Sequence, residues 1–125
     1  MILCDTNILI EVFRGKRLII NEVVKIGEQS IAISDVTRAE LLFGARNKEE
    51  LKIIKKDINK LTCIPINSEI SNLSVQLVEK YSLSHKLSLP DALIASTAIV
   101  YGIELFTLNL KDFKFIKQVK LLDPF

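Results

Sequence analysis

Short apolar runs alternate along this chain with longer segments of helical periodicity, and this alternation constrains the fold more than any other feature. An apolar run at residues 2–4 precedes helical spacing of apolar residues from Ile8 to Phe13, and the pattern repeats at residues 31–33 and 39–46. Further strands are predicted at residues 63–66, 104–106 and 119–122, and further helices at residues 16–28, 51–61, 70–81 and 92–100. The alternation favours an α/β fold, a three-layer sandwich around a mostly parallel sheet of about five strands.

The predicted helix at residues 92–100 differs from the others because it is apolar almost all round. A proline at position 90 is suited to the start of this helix, and Gly102 is suited to its end. Such a helix must be buried on most sides. The preceding residues 83–89 are predicted to form a polar loop, in which His85, the single histidine, is interpreted as a surface residue.

Composition limits the classes of protein that remain. A length of 125 residues predicts one domain spanning residues 1–125. No apolar run approaches the roughly 20 residues of a membrane span, and the first residues do not resemble a secretory signal, so a cytoplasmic location is expected. Cys4 and Cys63 lie in apolar segments without a ligand partner nearby, which argues against a disulfide or a zinc site. The net charge of +2 is too small to indicate nucleic-acid binding by itself.

Acidic and amide side chains follow several predicted strands directly. Asp5 follows the first strand, Glu40 lies in the helix after the second, and Asn109 and Asp112 follow the fourth. Asp91 lies in the first turn of the apolar helix. Ligands of open parallel sheets bind beyond the carboxyl ends of the strands, so we expect these side chains to converge at one edge.

Each acid also has an ordinary structural explanation. Asp5 could cap the helix that follows it, Glu40 stands three residues after Thr37 as in a capping box, and Asp91 could interact with the positive end of its helix. Together, however, the carboxylates would repel one another unless a cation lies between them. An all-oxygen set without histidine or cysteine suits Mg²⁺ or Mn²⁺.

Four motifs, in this order and on the expected elements, resemble those of PIN-domain proteins, specifically the VapC-type toxins of prokaryotic toxin–antitoxin pairs. They are Asp5-Thr6-Asn7, Ser34-x-x-Thr37-x-x-Glu40-Leu41, Pro90-Asp91-Ala92-Leu93-Ile94-Ala95 and Thr107-x-Asn109-x-x-Asp112-Phe113. The resemblance covers essentially the whole chain.

The resemblance implies a set of site residues. The three main acidic metal ligands of the family correspond to Asp5, Glu40 and Asp91. The supporting polar residues correspond to Thr6 or Asn7 and to Thr107. The fourth acidic position is left open: the family often has aspartate where this chain has Asn109, whereas some members use the acid before the phenylalanine, here Asp112.

The resemblance also implies an activity and partners. The expected activity is metal-dependent endonucleolytic cleavage of RNA, as the toxin of a type II toxin–antitoxin system. Family members form homodimers and are silenced by an antitoxin protein, and the consecutive apolar residues 41–43 cannot all face one core, which suits a partner surface. Basic side chains that could contact RNA phosphates, or could simply be solvated, are Arg14, Lys16, Arg38, Arg46 and Lys86.

Two other functions share part of this pattern. A haloacid-dehalogenase-like phosphatase also has aspartate after its first strand, but it needs a second aspartate where this chain has Asn7. A non-catalytic binding module that keeps the PIN fold would be expected to lose its acids, and three are intact here.

Overall fold

The computed structural model describes all residues 1–125, and its strands form a single five-stranded sheet. The strands are β1 (Ile2–Cys4), β2 (Ile31–Ser34), β3 (Thr62–Ile64), β4 (Glu104–Phe106) and β5 (Leu121–Leu122). The helices are α1 (Thr6–Phe13), α2 (Arg17–Ile26), α3 (Asp35–Phe43), α4 (Lys48–Ile58), α5 (Ser68–His85) and α6 (Leu89–Tyr101). Short 3₁₀ turns occupy Glu28–Ser30 and Leu110–Asp112.

The strand order β3-β2-β1-β4-β5 places β1 at the centre, and all neighbouring strands pair in parallel. After β1 the chain builds β2 and β3 on one side, and it then crosses to build β4 and β5 on the other. The order therefore reverses at β1. A crevice is expected beyond the carboxyl end of this strand.

Alternate residues of the strands point into two separate hydrophobic cores. Leu3, Ala32 and Leu105 join the core that contains residues of α5 and α6. Cys4 and Phe106 join the second core, with residues of α1, α2, α3 and α4. Helices thus cover both faces of the sheet, which confirms the predicted three-layer α/β sandwich.

Helix α6 is the buried element that its sequence predicts. The buried residues of α6 are Ala92, Ile94, Ala95, Ser96, Thr97 and Ala98. Gly102 ends the helix with φ 63°, a left-handed conformation that glycine adopts without a steric penalty. No helix is long and apolar enough to cross a membrane.

Several predicted boundaries were wrong. Helix α3 ends at Phe43 rather than at residue 46, α4 spans Lys48–Ile58 rather than 51–61, and β5 begins at Leu121 rather than at residue 119. Three further differences have a clear physical cause. Helix α5 continues to His85, so the predicted loop at 83–89 shrinks to residues 86–88, because aromatic packing at the end of α5 outweighs its polar composition. Strand β3 ends at Ile64, before a proline that cannot donate a ladder hydrogen bond. Helix α3 begins at Asp35, four residues early, because Ser34 caps it.

Candidate active site

Asp5 lies where β1 ends and α1 begins, at the centre of the sheet's carboxyl edge. Its backbone N–H donates to the carbonyl of Phe106 at 2.9 Å, which joins this position to the end of β4. Its carboxylate is only 5% exposed and accepts from Thr6 N at 2.8 Å, from Thr107 Oγ1 at 2.8 Å and from Asn7 Nδ2 at 3.3 Å. Asp5 therefore caps α1 and also lies in a polar crevice, so both interpretations of this residue are compatible.

Asn7 and Thr107 connect the loops after β1 and β4. Asn7 Oδ1 accepts from Leu108 N at 3.2 Å, and its Nδ2 lies 3.4 Å from Thr107 Oγ1. The same hydroxyl accepts from Asn109 N at 3.1 Å while it donates to Asp5. These bonds fix the orientation of the Asp5 carboxylate, which supports the predicted supporting role of both residues.

Glu40 reaches the crevice from α3, and Thr6 connects it to β1. Thr6 Oγ1 donates to Glu40 Oε1 at 2.7 Å and lies 3.0 Å from the hydroxyl of Thr37. The capping-box explanation for Glu40 fails because Ser34, rather than Thr37, is the residue that caps α3. The buried Thr37 hydroxyl was missed as part of the site, although its spacing of three from Glu40 places both on one helix face.

The ionised form of Asp5 is disfavoured in this crevice. Burial raises the pKa of Asp5, and the negative charges of Glu40 and Asp112 raise it further, against the hydrogen bonds from Thr107 and Thr6 that lower it. The carboxylates of three separate elements therefore interact through space, as the topology predicts.

Asp91 is the third residue of α6 and is half-buried. Burial raises the pKa of Asp91 to about 6, with added contributions from the charges of Asp5, Asp112 and Glu40, while a hydrogen bond from Ser88 lowers it. A helix start alone would favour the charged form. The observed environment disfavours it, so helix electrostatics do not explain why an acid stands here.

At the fourth position, Asp112 interacts with the other acids through its charge, and Asn109 contributes a backbone hydrogen bond to the same network. The charge of Asp112 raises the pKa of both Asp5 and Asp91, and Asp112 shares a small cavity with Asp91. Asn109 is exposed, and its backbone N–H donates to Thr107 Oγ1. The sequence could not separate the two because both follow β4 closely.

The four carboxylates converge without forming a closed ligand cage. No three acidic, histidine or cysteine side chains lie close enough together to hold one ion between them. Mg²⁺ keeps several waters and binds through one or two carboxylates plus substrate phosphates, so an open, all-oxygen and mutually repulsive set fits this cation. Cys4 is no alternative ligand, because burial raises the pKa of its thiol to about 12.

Most basic residues predicted near the site are already paired. Arg14 and Lys16 contact Glu11, Arg38 contacts Asp35, and Arg46 contacts Glu50. Lys86 forms no salt bridge. His85 is exposed, as predicted, although it lies at the end of a helix rather than in a loop.

A large apolar groove of about 1250 Å³ borders the acidic crevice between α1, α2 and α4. Exposed apolar side chains in its lining include Ile10, Phe13, Val24 and Ile53, and Glu40 lies at its edge. Phe43 lies outside the groove lining and is 93% exposed, whereas Leu41 belongs to the lining and is buried. The expectation that residues 41–43 do not all face one core is therefore confirmed.

These features define an α/β domain with an acidic crevice at the carboxyl edge of a parallel sheet. Residues 2–118 match the family model described as PIN domain. The chain is 32% identical over 117 residues to "Ribonuclease VapC19" of Mycobacterium tuberculosis, covering 90% of this chain and 92% of that protein. It is 30% identical to "Ribonuclease VapC" of Rickettsia bellii, and the match covers 97% of this chain and 94% of that protein.

Solved structures agree with this assignment. The protein of a toxin-antitoxin complex from Klebsiella pneumoniae superimposes with a TM-score of 0.84 at 34% identity, covering 100% of this chain and 98% of that one. A DNA-bound VapBC chain from Salmonella typhimurium gives 0.85 at 23% identity with 98% and 96% covered, which supports the fold. The chain belongs to the PIN-domain family, among the VapC-type proteins. The phosphatase alternative is thereby excluded.

Proposed function

We propose that this chain is a metal-dependent endoribonuclease that acts in the cytoplasm as the toxin of a type II toxin–antitoxin system, with residues 1–125 as its single nuclease domain. The observation that supports this most directly is the convergence of Asp5, Glu40, Asp91 and Asp112 on one crevice, where burial and the charges of the neighbouring acids raise the pKa values of Asp5 and Asp91. The relatives named as VapC ribonucleases support the choice of RNA as substrate.

In this proposal Asp5, Glu40 and Asp91 would hold Mg²⁺ or Mn²⁺, one or two of them directly and the remainder through the waters that the cation keeps, with Asp112 as the fourth acid. A bound cation would offset the phosphate charge and lower the pKa of a water so that it can attack the phosphodiester. Thr107 and Asn7 keep the Asp5 carboxylate oriented, and Thr6 does the same for Glu40. Asp91 or Glu40 could assist by accepting the proton of the attacking water, and the phosphorus–oxygen bond to the departing RNA segment would break as the new bond forms.

The test is incubation of the purified chain with total RNA in EDTA, Mg²⁺ or Mn²⁺, with products resolved on a gel. We expect discrete fragments that require the cation and that disappear in Asp5→Asn. The matched control is Asp123→Asn, which removes an exposed acid without a salt bridge. Metal-independent cleavage, or equal cleavage by both variants, would refute the proposal. Absence of both cleavage and metal binding would favour the non-catalytic module.

The proposed partner is an antitoxin that occupies the apolar groove beside Glu40. An amphipathic segment could cover the exposed apolar lining of this groove and reach the acids at its edge. Expression of the chain should arrest growth, and coexpression of the antitoxin should restore it. Cells that express Ile53→Asp should stay arrested when the antitoxin is coexpressed. Cells that express Val75→Asp, an equally exposed position outside the groove, should grow again.

We further propose that the chain forms a homodimer through the surface around Phe43. Its ring is 93% exposed at the end of α3, and a partner that covered this ring would remove apolar surface from water. Light scattering should report a dimer for the wild type and a monomer for Phe43→Glu. A monomeric wild type at micromolar concentration would contradict this part of the proposal.

A further inference from the structure

A small cavity of about 150 Å³ opens beside the proposed cleavage site. Asp91 and Asp112 form part of its wall, so whatever enters it lies next to two of the converging acids. The rest of the lining comes from the end of α5 and from the segment after β4. Its members include His85, Lys86, Lys111 and Phe115.

The two lysines of this cavity are free to bind an anion. Neither Lys86 nor Lys111 forms a salt bridge, although Asp91 and Asp112 line the same cavity. The arginines near the crevice, by contrast, are each paired with an acid of this chain. An incoming phosphate would therefore find two uncommitted positive charges here.

Lys86 occupies a backbone position that favours glycine. It ends α5 with φ 53° and ψ 39°, in the left-handed region, and it is the one non-glycine residue with positive φ. Gly102 has the same role at the end of α6. A lysine here lowers stability relative to glycine, which points to a role for the side chain itself.

Packed aromatic rings hold His85, which lines this cavity, in a fixed plane. His85 stacks on Phe115 with centroids 4.1 Å apart and planes 12° apart, and Tyr81 packs edge-on against Phe115 at 5.1 Å. His85 nevertheless remains exposed. A preformed, exposed ring next to lysines is the combination that proteins use to bind single-stranded RNA, through stacking on a base and contact with its phosphate.

We propose that this cavity binds the RNA nucleotide adjacent to the cleaved bond, with Lys86 and Lys111 on its phosphate and His85 stacked on its base. The inference rests on the ribonuclease function proposed above. It adds a subsite that holds the substrate while Asp91 and Asp112 face the bond to be cut.

The test measures binding separately from cleavage. A short fluorescein-labelled RNA spanning the mapped cut is titrated with Asp5→Asn protein that carries one further change, and anisotropy gives the affinity. Lys86→Gly and Lys111→Gln should each weaken RNA binding about tenfold. Each should also reduce the slope of log K against the logarithm of the salt concentration by about one. His85→Ala should weaken binding about tenfold with the salt dependence unchanged.

Two controls keep the result interpretable. Lys117→Gln removes an exposed lysine outside the cavity and should leave affinity within about twofold. Lys86→Gly should melt at the same temperature as the wild type or higher, which excludes unfolding as the cause of weaker binding. The subsite is refuted if wild type cleaves RNA while the three cavity variants bind like Lys117→Gln. If wild type cleaves no RNA, the proposed function fails first and the subsite falls with it.

Discussion

Replacing Asp91 by asparagine should stabilise the fold at neutral pH while it damages activity. The pKa of Asp91 rises from 3.8 to about 6 on folding, because of burial and the charges of Asp5 and Asp112. A raised pKa in an acid means that the folded state binds the proton more tightly than the unfolded state. The carboxylate therefore costs stability above pH 6, and this cost disappears as the pH falls below about 4.

The size of the effect follows from the same shift. The change from 3.8 to about 6 corresponds to about 3 kcal/mol for a fully buried group. Asp91 is only half-buried, and solvent screening reduces this to about 1.5 kcal/mol. Loss of a favourable charge in the first turn of α6 removes about 0.5 kcal/mol. The net gain is about 1 kcal/mol, or a melting temperature about 3–5 °C higher.

Thermal unfolding followed by circular dichroism in EDTA at low ionic strength measures this gain. Asp91→Asn should melt above the wild type at neutral pH and together with it near pH 4. Asp123→Asn, in an exposed position, should match the wild type at neutral pH. Adding Mg²⁺ should stabilise the wild type more than Asp91→Asn. A variant that melts at or below the wild type at neutral pH would refute the electrostatic reasoning.

Three further changes test other parts of the structure. Asp5→Asn should lower the rate of RNA cleavage by orders of magnitude and leave the free energy of unfolding unchanged or slightly raised. A clear loss of fold in circular dichroism would contradict the catalytic role of Asp5. Thr107→Val removes the buried donor to Asp5 and should cost about 1–3 kcal/mol in urea unfolding and about 10–100-fold in cleavage, whereas Thr107→Ser should restore most of both. Phe106→Ala should lower the free energy of unfolding by about 3–5 kcal/mol, because this fully buried ring lies in the second core.

Periodicity predicted the layers of this fold because burial determines the pattern of apolar residues. The segment at 92–100 is apolar almost all round, and α6 is correspondingly buried between the sheet and α5. Asp5 could be placed at the sheet edge because a polar triplet follows an apolar strand directly. The true start of α3 was missed because Ser34 is both the last residue of β2 and the N-cap of α3. The pattern of apolar residues does not separate these two roles.

Contacts between distant segments could not be predicted in the same way. The stacking of His85 on Phe115 joins residues far apart in sequence, and their approach depends on how α5 packs against the segment after β4. The proposed assignment of Asp112, rather than Asn109, as the fourth acid depends on the 3₁₀ turn at Leu110–Asp112, whose geometry no short motif encodes. The bonds from Thr107 to Asp5 likewise required the pairing of β1 with β4.

The central claim is that carboxylates from separate elements share a divalent cation at the end of β1. Anomalous diffraction from crystals soaked in Mn²⁺ tests this claim most directly, because it locates the ion without assuming an activity. We expect an anomalous peak within bonding distance of Asp5 and at least one of Glu40, Asp91 or Asp112, and no such peak in Asp5→Asn crystals. Crystals with no peak in this crevice, or with an equal peak in the variant, would contradict the account.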